Sequence, residues 1–314
     1  MEIIKGLENL RDSYPKTVLT IGNFDGIHLG HQKILRKVLK KAEEIGGTSM
    51  VVTFEPHPIK VLTPEVELKI LTNLKEKARL IEAFGIEVLL FIDFNKEFSK
   101  LHPDDFIDDV LVKKLKAREV IIGRNYVFGK NKEGTTELLR RRGRKYGFSV
   151  NVIRYAKVDD DIVSSSKIRN LLLRGKVSEA SNFLGRAYSI EGSVKPGAGR
   201  GGKLLNIPTA NMTTPIELAP KEGVYAVRAG IKDKVFDGVA NIGTNPTFGN
   251  SDVGYEVHLL NFSGNLLGEN IRIYFIDRIR NEQRFPDPLS LEKQIRNDIE
   301  KAKEILGMKR PKLM

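Results

Sequence analysis

The apolar runs of this chain change their spacing near residue 186, and this change constrains the fold more than any other feature. Before it, short apolar runs alternate with helical patterns, as in the run at 17–21 and the pattern at 31–45, which ends at two glycines. The same alternation gives strands at 50–54, 88–92, 119–122 and 149–153 and a helix at 74–84. Strands that alternate with helices predict a parallel sheet with helices on both faces.

Beyond residue 186 the strands follow one another without helices between them, at 224–229, 235–242, 255–262 and 270–276. Short polar turns join them, which predicts an antiparallel sheet or small barrel. One amphipathic helix is predicted over 289–306. We therefore expect an α/β domain at 1–185 and a β domain at 186–314, a division that the length of 314 residues also favours.

Composition excludes several classes of protein. The absence of cysteine excludes a disulfide scaffold, a thiolate nucleophile and a Cys-ligated zinc site. Without a signal-peptide pattern or an apolar run of ~20 residues, we expect a soluble, cytoplasmic protein with no membrane partner. Lys and Arg exceed Asp and Glu by 52 − 40 = +12, so an anionic partner is expected, either nucleic acid or a phosphate-bearing ligand.

The strongest motif lies between the first strand and the first helix, where residues 22–31 read G-N-F-D-G-I-H-L-G-H. Its two histidines, His28 and His31, lie at a predicted helix N-terminus, which offers backbone N–H groups to phosphate. Two imidazoles there can stabilise charge that develops on a phosphoryl group. The alternative is a helix cap and a core histidine. The loop's candidate nucleotide-binding residues are Gly22, Asn23, Phe24, Asp25, Gly26 and Gly30.

This decad resembles the signature of the HxGH nucleotidyltransferases, which implies a Rossmann-like domain that transfers a nucleotidyl group from a nucleoside triphosphate. Residues 163–169 resemble the downstream S-S-x-x-I-R element of that superfamily, although many members have Thr where this chain has Ser166. In this segment Ser164, Ser165 and Ser166 can cap the following helix, and Arg169 can hold a triphosphate tail.

Two further segments, 53–58 and 123–129, follow predicted strands and so fall where open α/β sheets bind ligands. Both resemble segments of the bacterial bifunctional riboflavin kinase/FMN adenylyltransferases, also called FAD synthetases. The second segment contributes Asn125 as a candidate nucleotide-binding residue. Each segment taken singly is more often an ordinary tight connection.

The glycine-rich stretch 197–203 matches both G-x-G-x-x-G and G-x-x-x-x-G-K. We reject the P-loop interpretation because Leu204 stands where a P-loop needs Ser or Thr. Both patterns also require a helix directly afterwards, and the sequence at 204–208 does not predict one, so we reject the dinucleotide interpretation as well. A glycine loop that closes over phosphates remains, with Gly197, Gly199 and Lys203 as its binding residues.

Residues 208–211 read P-T-A-N and resemble the corresponding motif of riboflavin kinases, in which Thr209 and Asn211 would lie at magnesium and the nucleotide phosphates. The blocks at 238–248 and 256–262 resemble the next two motifs of that family. The resemblance makes Glu256 the base at the riboflavin 5′-hydroxyl, whereas a lone strand carboxylate is more often merely solvated.

The resemblance spans nearly the whole chain. It implies that riboflavin is phosphorylated to FMN with ATP and Mg²⁺, and that FMN is adenylated to FAD with a second ATP. One alternative keeps the fold but only one activity. Another is an RNA-binding protein, suggested by the charge and the basic run at 140–145, although that run fits a solvated helix face better. We expect small-molecule substrates and no nucleic acid; the oligomeric state is open, and a monomer is plausible.

Overall fold

A computed structural model describes residues 1–10, 14–196, 208–244 and 253–314. The chain forms two compact units, Met1–Val163 and Ser164–Met314. The spacing of the apolar runs placed the division at 185/186 instead. The difference consists of residues 164–185, which form two helices that pack on each other, and the second of them packs against strands of the second unit.

The first unit is built on a six-stranded sheet whose neighbouring strands are all parallel, which confirms the predicted architecture. Its strands are β1 (Glu2–Lys5), β2 (Thr17–Ile21), β3 (Ser49–Glu55), β4 (Val88–Asp93), β5 (Ala117–Gly123) and β6 (Ser149–Ile153). Their order across the sheet is β1-β4-β3-β2-β5-β6. Strand β1 was not predicted, because this four-residue edge strand has too few apolar residues to show a pattern. A small hairpin follows, β7 (Lys157–Val158) and β8 (Asp161–Ile162).

The helices of the first unit cover the sheet. They are α1 (Leu29–Ile45), α2 (Pro58–Leu62), α3 (Leu74–Glu82), α4 (Lys96–Ser99), α5 (Pro103–Asp105), which continues as a π-helix (Phe106–Lys114), and α6 (Thr136–Tyr146). Short 3₁₀ turns form at Leu7–Asn9 and Lys130–Lys132. The basic run lies on α6. Leu139 on this helix is fully buried, whereas four residues of the run are exposed, which agrees with a solvated helix face: Arg140, Arg141, Arg144 and Lys145.

The second unit contains a closed antiparallel barrel of order β10-β13-β12-β11-β14-β9, which confirms the predicted barrel. Its strands are β9 (Tyr188–Lys195), β10 (Ala210–Thr213), β11 (Gly223–Ile231), β12 (Lys234–Thr244), β13 (Val253–Leu259) and β14 (Asn270–Arg280). Among the described residues of this unit, three helices accompany the barrel: α7 (Ser165–Leu173), α8 (Val177–Leu184) and α9 (Pro288–Met308). The last of these is the predicted terminal helix.

The barrel core follows the two-residue period of its strands. Val194, Met212, Ile242 and Tyr255 occupy one inward rung and are almost completely buried. On the outside, α9 covers part of the barrel through Ala302, Ile305 and Leu306, which join the cluster that includes Val224 and Ile276. None of the helices in the described ranges has both the length and the hydropathy that a membrane span needs.

Candidate active sites

The first candidate site lies at the carboxyl edge of the parallel sheet. Because β3, β2 and β5 are parallel neighbours, the segments that follow them meet at one edge. Those segments are the loop 22–28, the turn 55–58 and the connection 123–129. The structure therefore brings the histidine loop and Asn125 to the same edge, and the Tyr155 hydroxyl donates a hydrogen bond to Asn125 Oδ1.

The loop between β2 and α1 has an unusual backbone conformation. Phe24 and Ile27 both adopt positive φ, 48° and 41°, although each is almost completely buried. A β-branched residue in the left-handed region is strained and persists only when its surroundings fix it. Gln32 supplies one such restraint, since its Nε2 donates to the Ile27 carbonyl at 3.0 Å.

The two motif histidines form a stacked pair at the start of α1. Their ring centroids lie 3.6 Å apart with an interplanar angle of 14°. His28 is the N-cap of α1, and its Nδ1 accepts from the His31 backbone N–H at 3.3 Å. A ring nitrogen that accepts carries no proton, so Nε2 carries the hydrogen of the neutral His28 ring. At Gly30, a Cβ would lie 3.1 Å from two atoms of the His28 ring, so glycine makes room for the imidazole.

The carboxylate of Asp25 holds the loop rather than facing outward. It is 2% exposed and accepts from the backbone N–H groups of Leu71 at 2.8 Å and Thr72 at 3.1 Å. The Gly26 N–H donates to the Thr72 hydroxyl at 3.0 Å. These bonds make Asp25 a residue that shapes the loop, while its contact with nucleotide stays a prediction.

The downstream serine segment belongs to the second unit, where it begins α7. Ser164 is the N-cap of that helix, and its Oγ accepts from the Lys167 N–H at 3.3 Å, which confirms the predicted cap. One turn later, Arg169 Nη1 donates to Ser166 Oγ at 3.5 Å. The nucleotide-binding roles of Ser164, Ser165, Ser166 and Arg169 stay predictions.

The second candidate site is a row of polar side chains on the outer face of the barrel. Glu256 on β13 lies opposite Asn211 on one neighbouring strand and Asn241 on the other. Asn211 also lies opposite Lys195. Residues opposite one another share a face, so these four form one rung, Lys195–Asn211–Glu256–Asn241. The inward rung beside it is apolar, which explains why this one points outward.

The P-T-A-N segment leads into β10, the strand that carries Asn211. Thr209 directly precedes β10, and the carbonyl of Pro208 accepts a hydrogen bond from His258 Nδ1 at 2.8 Å. His258 is two residues beyond Glu256 and therefore lies on the same face of β13. Gly197, Gly199 and Lys203 lie outside the described residues.

Two family models cover most of the chain. One described as FAD synthetase matches residues 10–167, and one described as riboflavin kinase matches residues 184–306. A protein of Escherichia coli (strain K12) named bifunctional riboflavin kinase/FMN adenylyltransferase is 35% identical over 99% of this chain and 100% of its own. The chain belongs to that family.

Another relative and one solved structure are also similar to this chain over nearly its full length. The protein of that name from Buchnera aphidicola subsp. Schizaphis graminum (strain Sg) is 36% identical over 98% of this chain and 100% of its own. A crystal structure described as a macrolide-efflux protein from Streptococcus pneumoniae superposes with a TM-score of 0.87 at 28% identity. That match covers 96% of this chain and 99% of the other, so the two chains share their fold along nearly the full length.

The structure adds residues to both sites that the motifs alone did not single out. Asn241 and His258 lie within segments that resemble the family, and the two-residue period of β13 could have placed His258 beside Glu256. Lys77 could have been found from the helical pattern. It is a charged residue on the apolar face of a predicted helix, three residues before Leu80 and four before Ile81.

Proposed function

We propose that this chain makes FMN from riboflavin and ATP at the barrel, and FAD from FMN and a second ATP at the parallel sheet. The observation that carries the proposal is the presence, in one chain of this family, of two chemically distinct sites. One presents paired imidazoles at a helix N-terminus, and the other presents a carboxylate in a row of oxygen and amide donors.

Adenylyl transfer at the first site needs no protein nucleophile. A phosphate oxygen of FMN attacks the α-phosphorus of ATP, and pyrophosphate leaves. The protein must align these groups and neutralise the developing charge. We assign this to Nε2–H of His28, to His31 and to the N-terminal N–H groups of α1. The nucleotide-binding roles of Arg169, Ser164, Ser165 and Ser166 stay expectations from the family resemblance.

Phosphorylation at the second site needs a base. In our proposal the carboxylate of Glu256 accepts the proton of the riboflavin 5′-hydroxyl while that oxygen attacks the γ-phosphorus, and ADP leaves. The strand register supports this role, since it places Glu256 between two asparagines that can orient phosphate or hydroxyl groups.

Magnesium suits the same row of residues. The hydroxyl of Thr209, the amide oxygen of Asn211 and the carboxylate of Glu256 are oxygen donors, the class that Mg²⁺ prefers. In the part of the chain that the structure describes, no group of three or more His, Cys, Asp or Glu side chains forms a separate metal site. We propose Thr209 and Asn211 as the residues that hold Mg²⁺, which when bound neutralises phosphate charge. A cytoplasmic location and the absence of a nucleic-acid partner stay predictions, and the oligomeric state stays open.

The test is to incubate pure full-length protein with riboflavin, ATP and Mg²⁺ and to separate the flavins by chromatography over time. We expect FMN to form first and FAD to accumulate afterwards. A second reaction starts from FMN and ATP. If neither FMN nor FAD forms in the first reaction, the kinase assignment is refuted. If no FAD forms in the second reaction, the adenylyltransferase assignment is refuted. The two reactions together therefore also identify a chain that retains only one activity.

A further inference from the structure

A lysine is buried against the loop that carries the two imidazoles. Lys77 on α3 is only 4% exposed, although lysine is seldom so deeply buried without compensating partners. Burial lowers its pKa from the ordinary range, while the negative charges of Asp25 and Glu55 act in the opposite direction. Asp25 belongs to the loop itself, so the buried cation and the loop are electrostatically linked.

The ammonium of Lys77 contacts the loop through one hydroxyl. Lys77 Nζ donates to Thr53 Oγ1 at 3.4 Å, and Thr53 Oγ1 donates to the Asn23 carbonyl at 3.2 Å. A threonine hydroxyl has a single hydrogen. Because the ammonium can only donate, it occupies a lone pair of the hydroxyl and leaves that hydrogen directed at Asn23. The lysine therefore fixes the orientation of the bond that holds the loop.

The loop needs such restraint because its backbone is strained. Phe24 and Ile27, on either side of Asp25, have positive φ values of 48° and 41°. The carbonyl of Asn23 anchors the loop before the strained residues, and the Asp25 carboxylate anchors it between them through Leu71. The charge of Lys77 acts on both anchors, reaching one through Thr53 and the other through space.

We propose that Lys77 is a positioning residue for adenylyl transfer, acting through Thr53 to hold the loop 22–28 and hence the imidazoles of His28 and His31. The inference rests on the proposed adenylyl transfer. Removing the ammonium group of Lys77 leaves the imidazoles in place but less well aligned. A misplacement of about 1 Å can cost on the order of 10²-fold in rate. The loss therefore falls on kcat, because alignment matters most in the transition state.

The experiment compares full-length Lys77→Met and Thr53→Val with two matched controls. Met keeps the length of the side chain without its charge, and Val keeps the shape of Thr without its hydroxyl. Thr53→Ser keeps the hydroxyl, and Lys75→Met removes an exposed lysine from the same helix. For FAD formation from FMN and ATP, we expect kcat to fall about 10- to 100-fold in the first two variants, with KM values within about threefold of wild type. Both controls retain the wild-type kcat.

Two further readouts separate positioning from general damage. Riboflavin phosphorylation by the same samples stays unchanged, because Lys77 lies in the other unit. The double variant Lys77→Met/Thr53→Val loses no more than the worse single variant, because removing Lys77 already breaks the path through Thr53. Losses that multiply would overturn the proposal, as would a wild-type kcat in Thr53→Val, even where Lys77→Met folds poorly.

Hydrogen exchange gives a test that does not depend on activity. Backbone amides in peptides covering residues 22–28 are expected to exchange on the order of tenfold faster in Lys77→Met and Thr53→Val than in the Lys75→Met control. If the wild type forms no FAD, the proposed function fails on that result alone. Unchanged exchange in the loop would then refute the positioning role separately.

Discussion

Replacing His28 by two different residues separates its structural role from its chemical one. Its Nδ1 caps α1 by accepting from the His31 N–H at 3.3 Å, and its ring stacks on that of His31. Asn is among the best N-cap residues and can accept the same bond, but it has no imidazole. Ala can do neither. His28→Asn therefore removes the ring but keeps the cap, whereas His28→Ala removes both.

The expected magnitudes differ between the two variants. Loss of an N-cap costs about 0.5–2 kcal/mol, and a loss of ~1 kcal/mol lowers the Tm of a domain of this size by about 2–4 °C. His28→Ala should show that drop, whereas His28→Asn should melt close to the wild type. Both variants should form FAD about 10²–10³ times more slowly, the loss typical of removing one group that stabilises transition-state charge. His31→Ala should show a rate loss of the same order.

The assay follows FAD formation from FMN and ATP by chromatography, with thermal unfolding measured on the same preparations. Riboflavin phosphorylation is the internal control, because the barrel carries it and should be unaffected. The decisive variant is His28→Asn. If it forms FAD at the wild-type rate, the imidazole serves only as a cap, and the chemical role argued for the stacked pair is refuted.

Three further predictions concern the second unit. Glu256→Gln should slow riboflavin phosphorylation by roughly 10²–10⁴ and leave adenylation of supplied FMN unchanged; an equal loss of both activities would contradict the assignment of a base. His258→Phe removes the bond to the Pro208 carbonyl, worth about 0.5–1.5 kcal/mol, so the KM for ATP in phosphorylation should rise about 2- to 12-fold. Asp298→Ala leaves the guanidinium of Arg280 without the buried carboxylate to which its Nε and Nη2 donate. This should lower the unfolding free energy of the second unit by about 3–5 kcal/mol in urea titrations, and a loss under about 1 kcal/mol would contradict it.

Much of the fold was predictable from local patterns. The parallel sheet followed from apolar runs alternating with helical periodicity, and strand β2 has the bounds 17–21 that its sequence predicted. The N-cap at Ser164 followed from residue type and position. The histidine motif indicated the loop of the first candidate site, and the P-T-A-N motif with the block at 256–262 indicated the strands of the second, because short chemical motifs are encoded in consecutive residues.

The sequence by itself determined which segments become strands and helices, and which side chains carry chemistry, since both depend on neighbours along the chain. Tertiary structure alone decided which of those side chains meet. Glu256 lies beside Asn211 and Asn241 only because closure of the barrel fixes the strand register. Lys77 reaches Asn23 through Thr53 for two reasons. The pairing of β2 with β3 brings Thr53 to the loop after β2, 30 positions away, and the position of α3 brings Lys77 to Thr53, 24 positions away. No periodicity encodes such pairings, because they arise from burial of surfaces that are distant in the chain.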